Sequence, residues 1–192
     1  KAVDNVSFSL KEGEILGIVG ESGSGKSVTS FSILKLVEDP GVVDADHIMF
    51  DGKDLAKISE RDMSKIRGKD ISMVFQDPMT SLNPIITIGK QITSVIMKHQ
   101  DCTENEARLR ALDLMDKVGI PNPEARFDDY PFQYSGGMGQ RIVIAIALSR
   151  QPKILICDEP TTALDVTIQA QNLKTVKGFT ERIQLYNRIH YT

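Results

Sequence analysis

The sequence predicts an α/β protein built around an open, mostly parallel sheet, with an antiparallel β portion and an inserted block of helices. Three observations predict this. The near-continuous apolar run Ile15-Leu16-Gly17-Ile18-Val19 passes directly into a glycine-rich stretch and then a helical segment, the order strand, loop, helix. A second short apolar run, Ile154-Leu155-Ile156-Cys157, is bounded by Pro152 and by Asp158-Glu159-Pro160, as a buried parallel strand would be. Between the two, residues 77 to about 145 change to helical spacing.

Taken in order, Val6, Phe8 and Leu10 alternate like a half-buried strand, and Glu12-Gly13 marks the turn after it. The run from Ile15 to Val19 reads as a strand covered on both faces. After the glycine-rich stretch, Phe31, Leu34 and Leu36 belong to a helix that Asp39-Pro40-Gly41 ends. Ile48-Met49-Phe50 followed by Asp51-Gly52 predicts a strand entering a hairpin, and Ile71 to Phe75 another strand. Thr103 with Glu106 forms a capping box. The apolar positions Ala107, Ala111, Leu114, Met115 and Val118 follow at helical spacing until Gly119 and Pro121 stop the helix. Ile142 to Leu148 is a further helical run.

Composition bounds the function. The 192 residues are 41% hydrophobic and 26% charged, which suits one globular unit with a real core and excludes a disordered or disulfide-stapled chain. Lys and Arg number 23 against 26 Asp and Glu, a net charge of −3, so no excess positive charge exists to hold nucleic acid non-specifically. The longest apolar run, Ile142 to Leu148, is far below the ~20 residues that span a bilayer. Cys102 and Cys157 have no metal-site spacing and fit a reducing, cytoplasmic setting; Cys157 reads as a small buried apolar residue.

Gly20-Glu21-Ser22-Gly23-Ser24-Gly25-Lys26-Ser27 has the spacing G-x-x-x-x-G-K-[ST] between a strand and a helix. Glycines there let the backbone wrap a phosphate chain, so that successive N–H groups and the helix N-terminus face anionic oxygens. Gly20, Ser22, Gly23, Ser24, Gly25, Lys26, Ser27 and Val28 are the candidate phosphate-binding residues, with Lys26 reaching the β/γ-phosphates and Ser27 ligating Mg²⁺. A dinucleotide-binding G-x-G-x-x-G is excluded by the glycine spacing and by the Lys-Ser that follows. Asp158 and Glu159 stand at the carboxyl end of a buried strand, where ligands bind in parallel sheets. Asp158 is therefore expected in the Mg²⁺ shell beside Ser27, and Glu159 is the candidate general base for an attacking water.

Further residues carry a family resemblance. Gln133-Tyr134-Ser135-Gly136-Gly137-Met138, followed by Gln140-Arg141, resembles the signature loop of ABC-transporter ATPase subunits, usually Leu-Ser-Gly-Gly-Gln. Gln76 in Val74-Phe75-Gln76-Asp77-Pro78 resembles the Q-loop, Pro160 follows the Asp-Glu pair, and Ala163-Leu164-Asp165 resembles the D-loop. Gly20 to Thr29, Met79-Thr80-Ser81-Leu82-Asn83-Pro84, Met138 and Thr161 to Gln171 are similar to the subgroup that energises oligopeptide, dipeptide and nickel uptake.

The resemblance implies a P-loop NTPase, RecA-like core with an antiparallel β subdomain and an inserted helical subdomain. It divides the chain at 1–76, 77–145 and 146–171, with an aberrant tail at 172–192. ATP and Mg²⁺ would be the cofactors, and two subunits would pair head to tail as a homo- or heterodimer. Ser135, Gly136 and Gly137 would then close over the partner's nucleotide, Gln76 would sense Mg²⁺, and Asp165 would contact the partner's loop. Partners would include integral membrane permease subunits and, indirectly, an external solute-binding protein, with the chain peripheral at the cytoplasmic face of the membrane. A nucleotide-binding but inactive fragment, or a non-transport ABC ATPase, are the alternatives. Two departures are Tyr134 for the usual Leu and Gly139 where the subgroup has a basic residue; Gly139 would cost up to about 1 kcal/mol relative to Ala and remove a surface charge.

The ends read as those of a piece of a longer chain. The adenine-stacking aromatic that the resemblance implies would precede Lys1, and residues from Asn172 lack the strand and in-register His expected after the D-loop helix; His190 follows an interrupted apolar run. Back-translated and read one base later, residues 172–192 can yield ILKLLKDLQKEYNYIIEFITH, so a frameshift after Gln171 is expected.

Overall fold

The computed structural model describes residues 1–75 and 79–158 and the strand at 184–186. Four parallel strands make the central sheet: β1 (Ile15–Gly17), β4 (Ile71–Val74), β5 (Ile154–Cys157) and β6 (Gln184–Tyr186), in the order β1-β6-β5-β4. β2 (Met49–Phe50) and β3 (Lys53–Asp54) form the expected hairpin around Asp51-Gly52. The helices are α1 (Lys26–Ile33), α2 (Glu60–Ile66), α3 (Ile88–His99), α4 (Glu104–Lys117), α5 (Pro123–Arg126) and α6 (Gly136–Leu148).

Strand alternation decides how the core is divided. In β5, Leu155 and Cys157 face a large cluster containing Val74, Ile92, Met115 and Ile144, while Ile156 faces a second cluster with Leu34, Leu55, Met63, Ile66 and Ile71. Helices therefore cover both faces of β4 and β5, which is why β5 reads as a continuous apolar run. The large cluster runs unbroken from the sheet through α3, α4 and α6, so the helical stretch shares its core with the strands.

Several expectations need correction. Residues Val6 to Leu10 form no strand; Val6 and Phe8 are 58% and 44% exposed, and alternation without a paired neighbour makes no ladder. β1 is not covered on both faces, since Ile15 and Val19 are 47% and 49% exposed and only Leu16 packs toward the second cluster. Among the described residues the antiparallel portion is only the short β2/β3 hairpin. α1 stops before the Asp39-Pro40-Gly41 turn, because Lys35 takes a left-handed φ of 51° and two bonds, Lys35 N–H to Ser32 and Leu36 N–H to Phe31, close the helix end. A strand does form beyond Asn172: Gln184 to Tyr186 pair in parallel with both β1 and β5. Gly139 is buried in α6, so no surface charge is removed there.

The expected capping box at Thr103 is present. Its hydroxyl accepts from Glu106 N–H, and the Glu106 carboxylate accepts from Thr103 N–H at 2.8 Å. α4 ends at Lys117, and Gly119 follows with φ of 80°. α2 falls in a segment for which the sequence pattern predicts no element; Ser59 caps it, its hydroxyl accepting from Asp62 N–H.

Candidate functional site

β1 delivers the chain into the phosphate loop, and α1 starts at Lys26. Gly25 occupies the helix N-cap with φ of 90°, a left-handed conformation open to glycine, and a Cβ there would meet the Ala2 carbonyl oxygen and the Val3 side chain. The cap makes no side-chain hydrogen bond and the first turn holds no acidic residue of its own; the carboxylate that meets this turn is that of Asp158, through Ser27. The Lys26 ammonium donates to the carbonyls of Gly20 and Glu21, both at 2.8 Å, and so lies across the loop it closes. Residues 20–24 are exposed, so an anion can reach them.

Ser27, one residue into α1, donates its hydroxyl hydrogen bond to Asp158 Oδ1 at 2.9 Å. Asp158 is 2% exposed, and its N–H donates to the Val74 carbonyl at 2.9 Å, which anchors the end of β5 to β4. The fold thus brings together the serine and the carboxylate that the sequence assigned to one metal shell. A hydroxyl and a carboxylate are hard oxygen donors, and Mg²⁺ characteristically takes one or two carboxylates together with phosphate oxygens and water. The donor set fits Mg²⁺. Cys157 beside it is buried, and burial pushes its thiol up to about 12, so it offers no thiolate.

The second loop caps α6. Ser135 is extended, its Oγ accepts from Met138 N–H at 3.4 Å, and its carbonyl accepts from Gly139 N–H at 2.8 Å. Among the described residues no side chain crowds Gly136, and the first turn of α6 lacks an acidic residue of its own. Tyr134 turns inward and donates its hydroxyl hydrogen bond to the Arg126 carbonyl at 2.6 Å; burial pushes its phenol up to about 12. In the sequence Tyr134 stands out only as a departure from the usual Leu, although a buried tyrosine generally needs a hydroxyl partner. Gln76, Glu159 and Asp165 lie outside the described residues.

Residues 3–162 match the family described as ABC transporter. The chain belongs to the ABC transporter family. Among relatives in this family, the oligopeptide transport ATP-binding protein OppD of Bacillus subtilis is 55% identical over 184 residues, covering 95% of this chain and 51% of that protein. The dipeptide transport ATP-binding protein DppD of Escherichia coli is 56% identical over 171 residues, covering 89% of this chain and 52% of its own length. The chain therefore spans about half the length of these relatives. The dimeric ATP-binding cassette MJ0796 in a post-hydrolysis state bound to ADP and Pi superposes with a TM-score of 0.82 at 28% identity, covering 98% of this chain and 80% of that one. The ABC transporter family assignment accounts for the P-loop NTPase fold, including the parallel sheet between two helical layers.

Proposed function

We propose that this chain is the ATP-binding and ATP-hydrolysing part of an ABC transporter subunit that energises peptide uptake through separate membrane permease subunits. The observation that carries the reading is the Ser27–Asp158 hydrogen bond of 2.9 Å at the mouth of a phosphate loop. The names of the oligopeptide and dipeptide relatives favour peptides over nickel as the cargo class.

In this reading the loop N–H groups of Gly20 to Val28 and the Lys26 ammonium bind and orient the triphosphate. The helix dipole and the ammonium both favour the negative charge of the phosphates. Ser27 and Asp158 would hold Mg²⁺, which when bound offsets charge on the phosphate oxygens. Glu159, next in sequence to Asp158, is assigned to accept the proton of the attacking water. Ser135, Gly136 and Gly137 contribute a second anion-binding helix start, which supports a head-to-tail dimer in which each copy, or a related subunit, closes the other's nucleotide site. Gln76 is assigned to Mg²⁺ sensing and Asp165 to the partner contact. The division into a core at 1–76 and 146–171 and a helical insertion at 77–145 belongs to the same proposal.

No helix among the described residues is long and apolar enough to cross a membrane. The membrane span is assigned to the permease and the ATPase to its cytoplasmic face as a peripheral subunit, with an external solute-binding protein acting indirectly.

The test is Glu159→Gln in the full gene product. Hydrolysis is expected to fall at least about a hundredfold, within the range a general base contributes, with an ATP-bound dimer accumulating by size-exclusion chromatography. Unchanged turnover would sink the assignment.

A further inference from the structure

The residue before the signature serine carries an observation that the proposed reaction does not use. Tyr134 and Ser135 are both extended, with φ/ψ of −103°/145° and −68°/159°. In extended backbone successive side chains point to opposite sides, so whatever holds Tyr134 inward sets the direction in which Ser135 faces out. Tyr134 is 6% exposed while Ser135 is exposed.

The tyrosine is held at its tip rather than only by packing. Its hydroxyl donates to the Arg126 carbonyl at 2.6 Å, and the same carbonyl accepts from Asp129 N–H at 3.0 Å. The Arg126 guanidinium lies 5.6 Å from the centre of the Tyr134 ring. Residues 126–134 are thereby closed into one loop whose two ends meet at a single oxygen. That loop is itself fixed. The first N–H groups of α3, from Ile88 and Gly89, donate to the carbonyls of Asp129 and Phe127 at 2.9 and 2.8 Å. Phe127 is clamped between α3 and α4: a Cβ on Gly89 would collide with its ring, and the Arg108 guanidinium stacks 4.1 Å from the ring centre. Two helices, one loop and one phenol hydroxyl thus stand behind the orientation of Ser135.

We infer that Tyr134 is a positioning residue for Ser135: its hydroxyl bond to the Arg126 carbonyl sets the serine and the first turn of α6 in the geometry that receives the partner's nucleotide. The inference rests on the proposed role of Ser135 at the dimer's nucleotide, and it goes beyond that role by naming what aims the serine.

The experiment compares Tyr134→Phe, which keeps the ring and removes only the hydroxyl, with Ser135→Ala in the full gene product. Amide hydrogen exchange by NMR, without nucleotide, reads geometry at Met138 and Gly139, whose N–H groups bond to Ser135. Tyr134→Phe is expected to speed exchange there about tenfold and to leave Ile144 and Leu148 unchanged. Turnover reads the consequence: kcat is expected to fall about fivefold for Tyr134→Phe, with ATP affinity of the isolated subunit within about twofold of the parent. Unchanged exchange at Met138 and Gly139 overturns the positioning role. So does a loss of kcat accompanied by an equal loss of nucleotide affinity and of exchange protection throughout α6, the result of a merely structural residue. If Ser135→Ala lowers kcat and Tyr134→Phe does not, the inference fails while the proposed function stands. If Ser135→Ala leaves kcat unchanged, the dimer reading fails and the inference falls with it.

Discussion

At the scale of single residues, the phosphate loop rests on a conformation as much as on a charge. Gly25 combines a φ of 90° with a Cβ direction blocked by the Ala2 carbonyl, so Gly25→Ala strains the backbone and displaces a neighbour together. ATP binding is expected to weaken at least about tenfold in Gly25→Ala, matching 1.4 kcal/mol or more of lost interaction, as read by titration calorimetry. Binding within twofold of the parent would show that the loop tolerates the side chain. The spacing of glycine, lysine and serine made this site legible, because each residue type answers a distinct demand of a phosphate chain. The pairing of Ser27 with Asp158 was legible only as an expectation, since 131 positions separate them. Tyr134 was not legible at all as more than a substitution, because its partner is a backbone carbonyl, which has no letter in a sequence.

At the scale of elements, local signals succeeded where the structure they specify is local. The Thr103–Glu106 capping box closes within one turn and needs no tertiary partner. Thr103→Ala is therefore expected to destabilise the protein by about 1 kcal/mol in urea denaturation, with an unchanged m value. No change in the midpoint would mean that burial of Ala107, Ala111 and Met115 alone holds the start of α4. The strand expected at Val6 to Leu10 shows the opposite case. Alternation supplies a face, but a strand forms only when a neighbour supplies hydrogen bonds, and among the described residues these have no ladder partner. The early end of α1 was missed for a related reason: lysine, rather than glycine, takes the left-handed cap at position 35.

At the scale of the whole molecule, the phosphate loop follows β1 and the Asp158 carboxylate follows β5, two strands of one sheet with β6 between them, so a ligand bridging them ties distant parts of the chain together. Ligand that binds only the folded form stabilises by RT ln(1 + [L]/Kd), about 2.7 kcal/mol at a hundredfold excess over Kd. For a chain of this size that corresponds to a rise in Tm of about 5–10 °C with Mg²⁺ and ATP, followed by differential scanning fluorimetry. Lys26→Ala is expected to abolish the rise. A Lys26→Ala variant that keeps it would place the nucleotide elsewhere.

By itself the sequence determined which residues and elements are on offer: a glycine-rich loop with Lys and Ser between a strand and a helix, a buried strand ending in a carboxylate, and a capped helix. Each is written in neighbouring residues, through spacing, capping or periodicity. Only the tertiary structure decided what distant residues make together. It set Ser27 against Asp158, bent Tyr134 onto Arg126, left β1 half exposed, buried Gly139, and placed residues 184–186 as a strand between β1 and β5. The physical reason is that strand order, burial and backbone acceptors depend on which segments fold against one another, and a linear pattern records what a segment can offer without recording what receives it.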